Sequence, residues 1–176
     1  MYEYIPQKNP QKTTGIVLLL GAAAAVAVFF TSLFPEMPFR WALQLMAIGC
    51  LAAIVYITAR YVTKSFIYRI EQRDEDGGLD LTVTELTGGK KPVTVCRIGL
   101  ESISAVSRVT EENREALKKK AGDSGRKKFI YICDIESPVT LWLFAEECGE
   151  PLSIKISANE EFASLIERNA GKGIEQ

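Results

Sequence analysis

Two uncharged apolar stretches, residues 16–34 and 41–59, limit what this chain can fold into more than any other feature. Each is about 19 residues long, which at ~1.5 Å per residue of helix matches a hydrocarbon core of ~30 Å. Between them runs Pro35-Glu36-Met37-Pro38-Phe39-Arg40, a break that stops one helix and lets the next reverse. Residues 15–62 are therefore expected to form a transmembrane helical hairpin. Ala22 to Ala25 would supply the small residues of a signal-peptide cleavage site, but apolar sequence continues past them and a second span follows. A retained helix is the reading that fits.

Positive charge beside the spans sets the expected orientation. Lys8 and Lys12 precede the first span and Arg60, Lys64 and Arg69 follow the second, whereas the connection holds only Arg40. The positive-inside bias then places both termini in the cytoplasm of a two-span, multi-pass cell-membrane protein. Residues 1–14, polar and carrying Pro6 and Pro10, read as a flexible cytoplasmic N-terminus. Trp41 and Tyr61 stand where amphipathic rings prefer the interface. Gly21, Ala22 and Ala25 on one span, with Gly49 and Ala53 on the other, are spaced for close helix contact. Gln44, the strongly polar side chain within the spans, is expected to bond across the hairpin.

Composition changes after the hairpin. Of 21 Lys and Arg only four, and of 22 Asp and Glu only two, come before Val62, so the remainder is mildly acidic. That balance argues against a nucleic-acid partner, which calls for a strongly basic face. There is no histidine, which removes the commonest general base and the commonest transition-metal ligand. Cys50, Cys96, Cys133 and Cys148 show no Cys-x-x-Cys spacing and read as free thiols.

Residues 63–170 read as one cytoplasmic β domain. Period-two alternation marks strands at 65–71, 79–86, 93–98, 103–109, 129–135, 140–145 and 152–156. Thr87-Gly88-Gly89-Lys90 is a hairpin turn. The strand at 129–135, apolar on both faces, is expected to be central. A charged insertion, 110–128, carries a helical first half with acids near its start and lysines near its end. A closing helix is signalled by the capping-box spacing of Ser157 and Glu160 and the apolar stripe Phe162, Leu165 and Ile166, with Gly171 as its stop. The tail 171–176 is expected to be loose. Leu81, Val83, Ile98, Ile132, Leu141, Leu143, Ile154, Phe162 and Leu165 are the expected core.

Seven short antiparallel strands followed by one amphipathic helix resembles the pleckstrin-homology (PH) fold, in particular bacterial PH-like domains that follow a membrane hairpin. The local likeness lies in Gly78-Leu79-Asp80-Leu81, in residues 97–106 (RIGLESISAV) and in Glu161-Phe162-Ala163-Ser164-Leu165, and it covers residues 65–170. The resemblance implies an α+β membrane protein: a two-helix hairpin, then a seven-strand antiparallel sandwich or barrel capped by its C-terminal helix, used to bind lipid or protein. The first strand–strand loop departs from the phosphoinositide-binding pattern. It reads Arg73-Asp74-Glu75-Asp76-Gly77-Gly78, and its acids would repel a phosphate.

Three short patterns suggest chemistry and fall short of it. Gly122-Asp123-Ser124-Gly125 looks like the nucleophile stretch of trypsin-like proteases, but no imidazole exists to take the serine proton. Asp74, Asp76 and Asp80 are too few oxygens for calcium. Glu146, Glu147 and Glu150 around Cys148 form an acidic turn. No catalytic, cofactor or metal residue is assigned, and the chain is not expected to be an enzyme. The candidate contacts for anionic lipid or a partner are Lys90, Lys91, Lys118, Lys119, Lys120, Arg126, Lys127 and Lys128. The expected function is a membrane-tethered cytoplasmic binding or scaffold module that recognises a protein partner and anionic headgroups. The alternative is an accessory subunit of a transporter or membrane enzyme complex, docking through the hairpin.

Overall fold

The computed structural model describes residues 1–171 apart from Asn9, Glu75, Asp76, Gly89, Asp123, Ser124, Ile135 and Glu136. Residues 172–176 of the expected loose tail lie outside the described residues, as do parts of the Gly122–Gly125 and Asp74–Asp80 patterns. The chain divides into two compact units, one of Lys8–Lys64 and one of Met1–Gln7 with Ser65–Gln176.

The first unit is the hairpin. Helix α1 (Pro10–Leu33) and helix α2 (Arg40–Ile57) are long and apolar enough to cross a membrane by length and composition. Few of their residues are buried, whereas a helix in the core of a globular protein would hide most of its apolar surface. The seam between them is made by Ala24 and Ala27 of α1 against Ala47 and Cys50 of α2. The expected close-contact residues Gly21, Ala22, Ala25, Gly49 and Ala53 are thus corrected: Ala22, Ala25 and Gly49 are exposed and Gly21 and Ala53 half-buried, because the contacting face runs Ala24, Ala27, Thr31, at helical spacings of three and four. Gln44 is corrected too. It sits exposed on α2 and forms no hydrogen bond with the described residues. Past Ile57 the helix widens into a π turn (Thr58–Val62), closed by Thr63 N–H donating to Thr58 O at 3.1 Å. The two ends of the hairpin meet where Lys8 Nζ donates to Val62 O at 2.8 Å.

Among the described residues the second unit holds eight strands in two four-stranded sheets, where seven strands were expected. The additional strand, β1 (Tyr2–Tyr4), arises inside the segment read as a flexible lead-in, of which Pro10 to Thr14 already belong to α1. It pairs antiparallel with β2 (Lys64–Gln72), Tyr4 opposite Tyr68. β3 (Leu79–Thr87) and β4 (Val93–Gly99) complete that sheet in the order β1-β2-β3-β4. The 87–90 turn between them is closed by Lys90 N–H donating to Thr87 O at 2.8 Å. A 3-10 turn (Leu100–Ser102) leads to the second sheet, which contains β5 (Ile103–Arg108), β6 (Lys127–Tyr131), β7 (Val139–Glu147) and β8 (Glu150–Ala158) in the order β5-β7-β8-β6.

That order overturns two expectations. β6 runs parallel to β8, so the domain is not wholly antiparallel. β6 also lies at the sheet edge instead of its centre, which belongs to β7 and β8. The edge suits its chemistry: Lys127 and Lys128 open the strand, and Phe129 and Ile130 remain 37% and 38% exposed. The expected continuation is corrected: β6 ends at Tyr131, residues 132–134 are not in a strand, and Ile135 lies outside the described residues. Between β5 and β6 stands helix α3 (Arg114–Gly122), which makes the 110–128 insertion a crossover over the outer face of the second sheet.

The inner faces of both sheets form the core. Leu81, Val83, Ile98, Leu141, Leu143, Ile154 and Phe162 are buried there as expected, with Leu165 packed at its border. Ile132 is half-buried and outside the core, because β6 ends at Tyr131 and the inward positions fall to Tyr131 and Cys133. Tyr68 is fully buried. Its hydroxyl donates to Tyr131 O and accepts from Ser157 N–H at 3.3 Å, and burial pushes its pKa well up.

Helix α4 (Glu160–Asn169) closes the core. Its cap is Asn159, whose side chain accepts from Phe162 N–H at 2.7 Å; Ser157, the expected cap, is still in β8 and bonds Ser137. Arg108 of β5 ties the helix down through Glu160 and Glu167, each at 2.7 Å. Gly171, at φ +72°, ends it with an N–H donated to Leu100 O at 3.2 Å. Phe162, fully buried, stacks with Tyr2, Tyr4 and Tyr68 at centroid distances of 5.7, 5.5 and 6.0 Å. Phe162→Ala should therefore destabilise the domain by about 3–5 kcal/mol in urea unfolding, the range for a buried aromatic. A loss below ~1 kcal/mol would mean that α4 contributes little to the core.

The β7–β8 hairpin supplies a second prediction. Cys148 and Gly149 both have positive φ (52° and 79°), the pairing that a tight two-residue turn between twisted strands demands. A cysteine tolerates that conformation poorly, so Cys148→Gly should stabilise by about 0.5–1 kcal/mol by the same measurement.

Candidate cationic site on the outer face of the second sheet

Alternation along the central strands turns Leu141, Leu143 and Ala145 of β7 inward and Trp142 and Phe144 outward. On β8 it turns Leu152, Ile154 and Ile156 inward, leaving Ser153 and Lys155 on the outer face. Lys128 of β6 stands opposite Ser153, and Lys155 stands opposite Trp142. Left bare, the two outward rings would be a large apolar patch. Helix α3 covers them with Leu117 and Ala121, forming a second small core with Ala105 and Val109. Thr110 and Asn113 start that helix reciprocally. Thr110 N–H donates to Asn113 Oδ1 at 2.8 Å, and Asn113 N–H donates to Thr110 Oγ1 at 3.4 Å.

Cations complete the cover. Lys120 Nζ lies 4.6 Å and Arg126 Cζ 5.7 Å from the Phe144 ring centroid. Lys128 Nζ and Lys155 Nζ lie 5.4 and 5.7 Å from that of Trp142. Electron-rich faces hold these charges at about 0.5–1 kcal/mol each at exposed sites. Trp142 and Phe144 stack on each other at 6.3 Å, so the four cations share one aromatic platform. Ser153 Oγ, fully buried on the same face, has no hydrogen-bond partner among the described residues.

Only part of the basic run reaches this platform. Lys120, Arg126 and Lys128 do. Lys127 is drawn off into an ion pair with Glu150 at the β7–β8 turn, Lys118 lies 4.0 Å from Glu115, and Lys119 is exposed on α3. Lys90 and Lys91 lie in the β3–β4 turn of the other sheet. Conversely, Arg114 and Lys155 belong to the cluster and were not singled out from the sequence. For Lys155 the signal was parity: a lysine between Ile154 and Ile156 must point away from the core they enter.

Lys155 feels its neighbours. Partial burial, and then the nearby charges of Arg114 and Lys128, hold its pKa below the ordinary lysine value. Among the described residues no carboxylate forms an ion pair with Arg114, Lys128 or Lys155. Beside them opens a polar cavity of about 280 Å³ lined by Thr110, Glu111, Arg114, Ser137, Thr140 and Lys155. Larger hollows of about 410 and 580 Å³ lie along the hairpin and are walled mainly by apolar residues.

The acids weighed for metal binding are engaged elsewhere. Asp80 is buried and accepts from Arg73 and from Arg97 Nε (2.7 Å), while Arg73 also meets Glu101 at 2.8 Å. Hydrogen bonding from Arg73, above all, holds the Asp80 carboxyl below its usual range. No group of three metal-ligating side chains occurs among the described residues. Cys96 and Cys133 sit at or in the core, and burial raises the Cys96 thiol to about 11, where it is inert.

The crowding of positive charge yields a signed prediction. A lysine whose folded pKa is depressed weakens the fold while it stays protonated, and stability recovers as pH rises through that folded pKa toward the unfolded value. Lys155→Met should therefore raise the urea midpoint at neutral pH and low salt. The gain over wild type should shrink as salt screens Arg114 and Lys128. A lower midpoint in every buffer would instead make Lys155 a net stabilising residue.

Comparison with protein-family models, with curated proteins and with solved structures returned no match.

Proposed function

We propose that this chain is a membrane-tethered binding module: a two-span hairpin that holds a PH-like domain at the cytoplasmic face, where the domain recognises a protein partner and anionic headgroups. The observation that carries the binding role is the platform of Trp142 and Phe144 under Lys120, Arg126, Lys128 and Lys155, with Arg114 beside it. Cations held this densely, with none of Arg114, Lys128 and Lys155 paired to a carboxylate among the described residues, suit an acidic partner surface or the negative inner leaflet.

The topology draws support from β1. A strand that precedes both apolar helices pairs with one that follows them, so the chain between must cross the bilayer an even number of times. Two spans satisfy this, and the Lys and Arg flanking them favour the cytoplasmic side. The PH likeness rests on a run of strands followed by a closing helix and on the local stretches at 78–81, 97–106 and 161–165; the eighth strand and the α3 crossover depart from it. The parallel β6–β8 pair is a departure from it.

The accessory-subunit reading is favoured by Gln44. An amide without a partner on an apolar helix is costly in lipid, and a neighbouring span could satisfy it. It shares an exposed face with Ile48, Leu51 and Val55. Photo-crosslinking in native membranes separates the two readings, with the reactive group at Lys119 on α3 or at Ile48 on α2. A discrete protein adduct from Lys119, reduced when Lys128 and Arg126 are neutralised, supports the binding module. Adducts from Ile48 alone, to an integral-membrane protein, would replace it with the subunit reading. A reporter fused after Gln176 should be active only as a cytoplasmic fusion; activity of a periplasm-dependent reporter would overturn the orientation.

A further inference from the structure

We infer that the cavity beside α3 is a phosphate-binding site, formed by Arg114, Lys155 and the hydroxyls of Thr110, Ser137 and Thr140, with Lys128 reinforcing the charge. The inference deepens the reading of this face as a binding surface and rests on it. Four features of the cavity select the ligand class.

Size comes first. About 280 Å³ is at the small end of ligand sites, which run roughly 300–1,000 Å³, so the site fits a single headgroup-sized anion better than a peptide or nucleotide. Donor chemistry comes second. Arg114, Lys155 and three hydroxyl residues line it, Ser137 sharing its hydroxyl with Ser157 Oγ at 2.6 Å, and Val109, which joins β5 to this wall, is fixed by its N–H donated to Thr140 O at 2.8 Å. Tetrahedral oxyanions with several acceptor atoms use such mixed donor sets, and arginine adds a fork that matches two of their oxygens.

The third feature is unmet charge. Partial burial first, and then the charges of Arg114 and Lys128, hold the Lys155 pKa down, and an anion bound between Lys155 and Arg114 would offset that repulsion. Glu111 is the fourth feature and works against the others. It is the one carboxylate lining the cavity among the described residues, and it leaves the wall net positive but less so than the cations alone would. Its removal should therefore tighten phosphate binding while loss of either cation weakens it. Opposite signs from neighbouring residues are what an anion held in this cavity requires. The same phosphate chemistry can come from a soluble phosphate or from a phospholipid headgroup.

The test uses the full chain in phosphatidylcholine nanodiscs, with Trp41→Phe so that Trp142 is the remaining tryptophan. Retention of radiolabelled inorganic phosphate in equilibrium dialysis measures the soluble source. The change in Trp142 emission when phosphatidylglycerol is mixed into the nanodisc measures the lipid source. Saturable phosphate retention, weakened about tenfold by Arg114→Gln or Lys155→Met and strengthened by Glu111→Gln, is the expected result. A Trp142 response to phosphatidylglycerol with the same pattern across variants, but no phosphate retention, assigns the site to lipid. Glu111→Gln, at an exposed position, keeps the sign test available if a cation variant unfolds. Retention or emission unchanged by all three substitutions, or no response to either ligand, overturns the site. A crosslink from Lys119 that persists in that case would keep the binding module and remove only its phosphate pocket.

Discussion

The ring of Phe162 is the contact on which the β domain depends. It lies at the base of α4 and meets Tyr68 of β2 and both tyrosines of β1, so one side chain joins three elements remote in sequence. Stacked aromatics of this kind add roughly 0.5–1.5 kcal/mol per pair beyond the area they bury. β1, only three residues long, could not hold an edge position through its ladder alone. Its tyrosines make it part of the core, and that in turn shields the β2 edge from other strands.

Charge on the outer face of the second sheet follows from how that sheet is covered. A crossover helix of nine residues cannot hide two large rings by itself, and the chain finishes the job with long cationic side chains laid over their faces. This trades stability against availability. Lysines and arginines that spend their charge on π-faces and on one another remain able to meet an anion, whereas Lys127, saturated by Glu150, does not.

Much of this fold was legible in local pattern. The two apolar runs, the alternation of Leu79, Leu81 and Val83, and the stripe of α4 each report a periodicity that tertiary contacts leave intact. What was not legible depended on partners distant in sequence. Tyr2 and Tyr4 look like any polar lead-in until β2 is beside them. The 129–135 run looks central because it is apolar on both faces, yet the crossover delivers β6, which ends at Tyr131, to an edge beside β8. Ser157 has capping spacing, but β8 runs on to Ala158 and passes the cap to Asn159. The cationic face was half readable for the same reason. A run of basic residues is visible in one dimension, while Lys155 and Arg114 join it only when β7, β8 and α3 are stacked.

The pairing of β1 with β2 makes the whole helical hairpin an elaborated loop between two neighbouring antiparallel strands. A flexible excursion of that length would oppose the ladder by roughly 3–4 kcal/mol of closure entropy. Here the excursion is two rigid rods whose ends are already brought together, Lys8 against the carbonyl of Val62, so most of that opposition is removed before Tyr4 meets Tyr68. The entropy of that closure falls on β1, the shortest strand of its sheet, which its three-residue ladder alone would hold least firmly and which the rings of Tyr2 and Tyr4 against Phe162 keep in place.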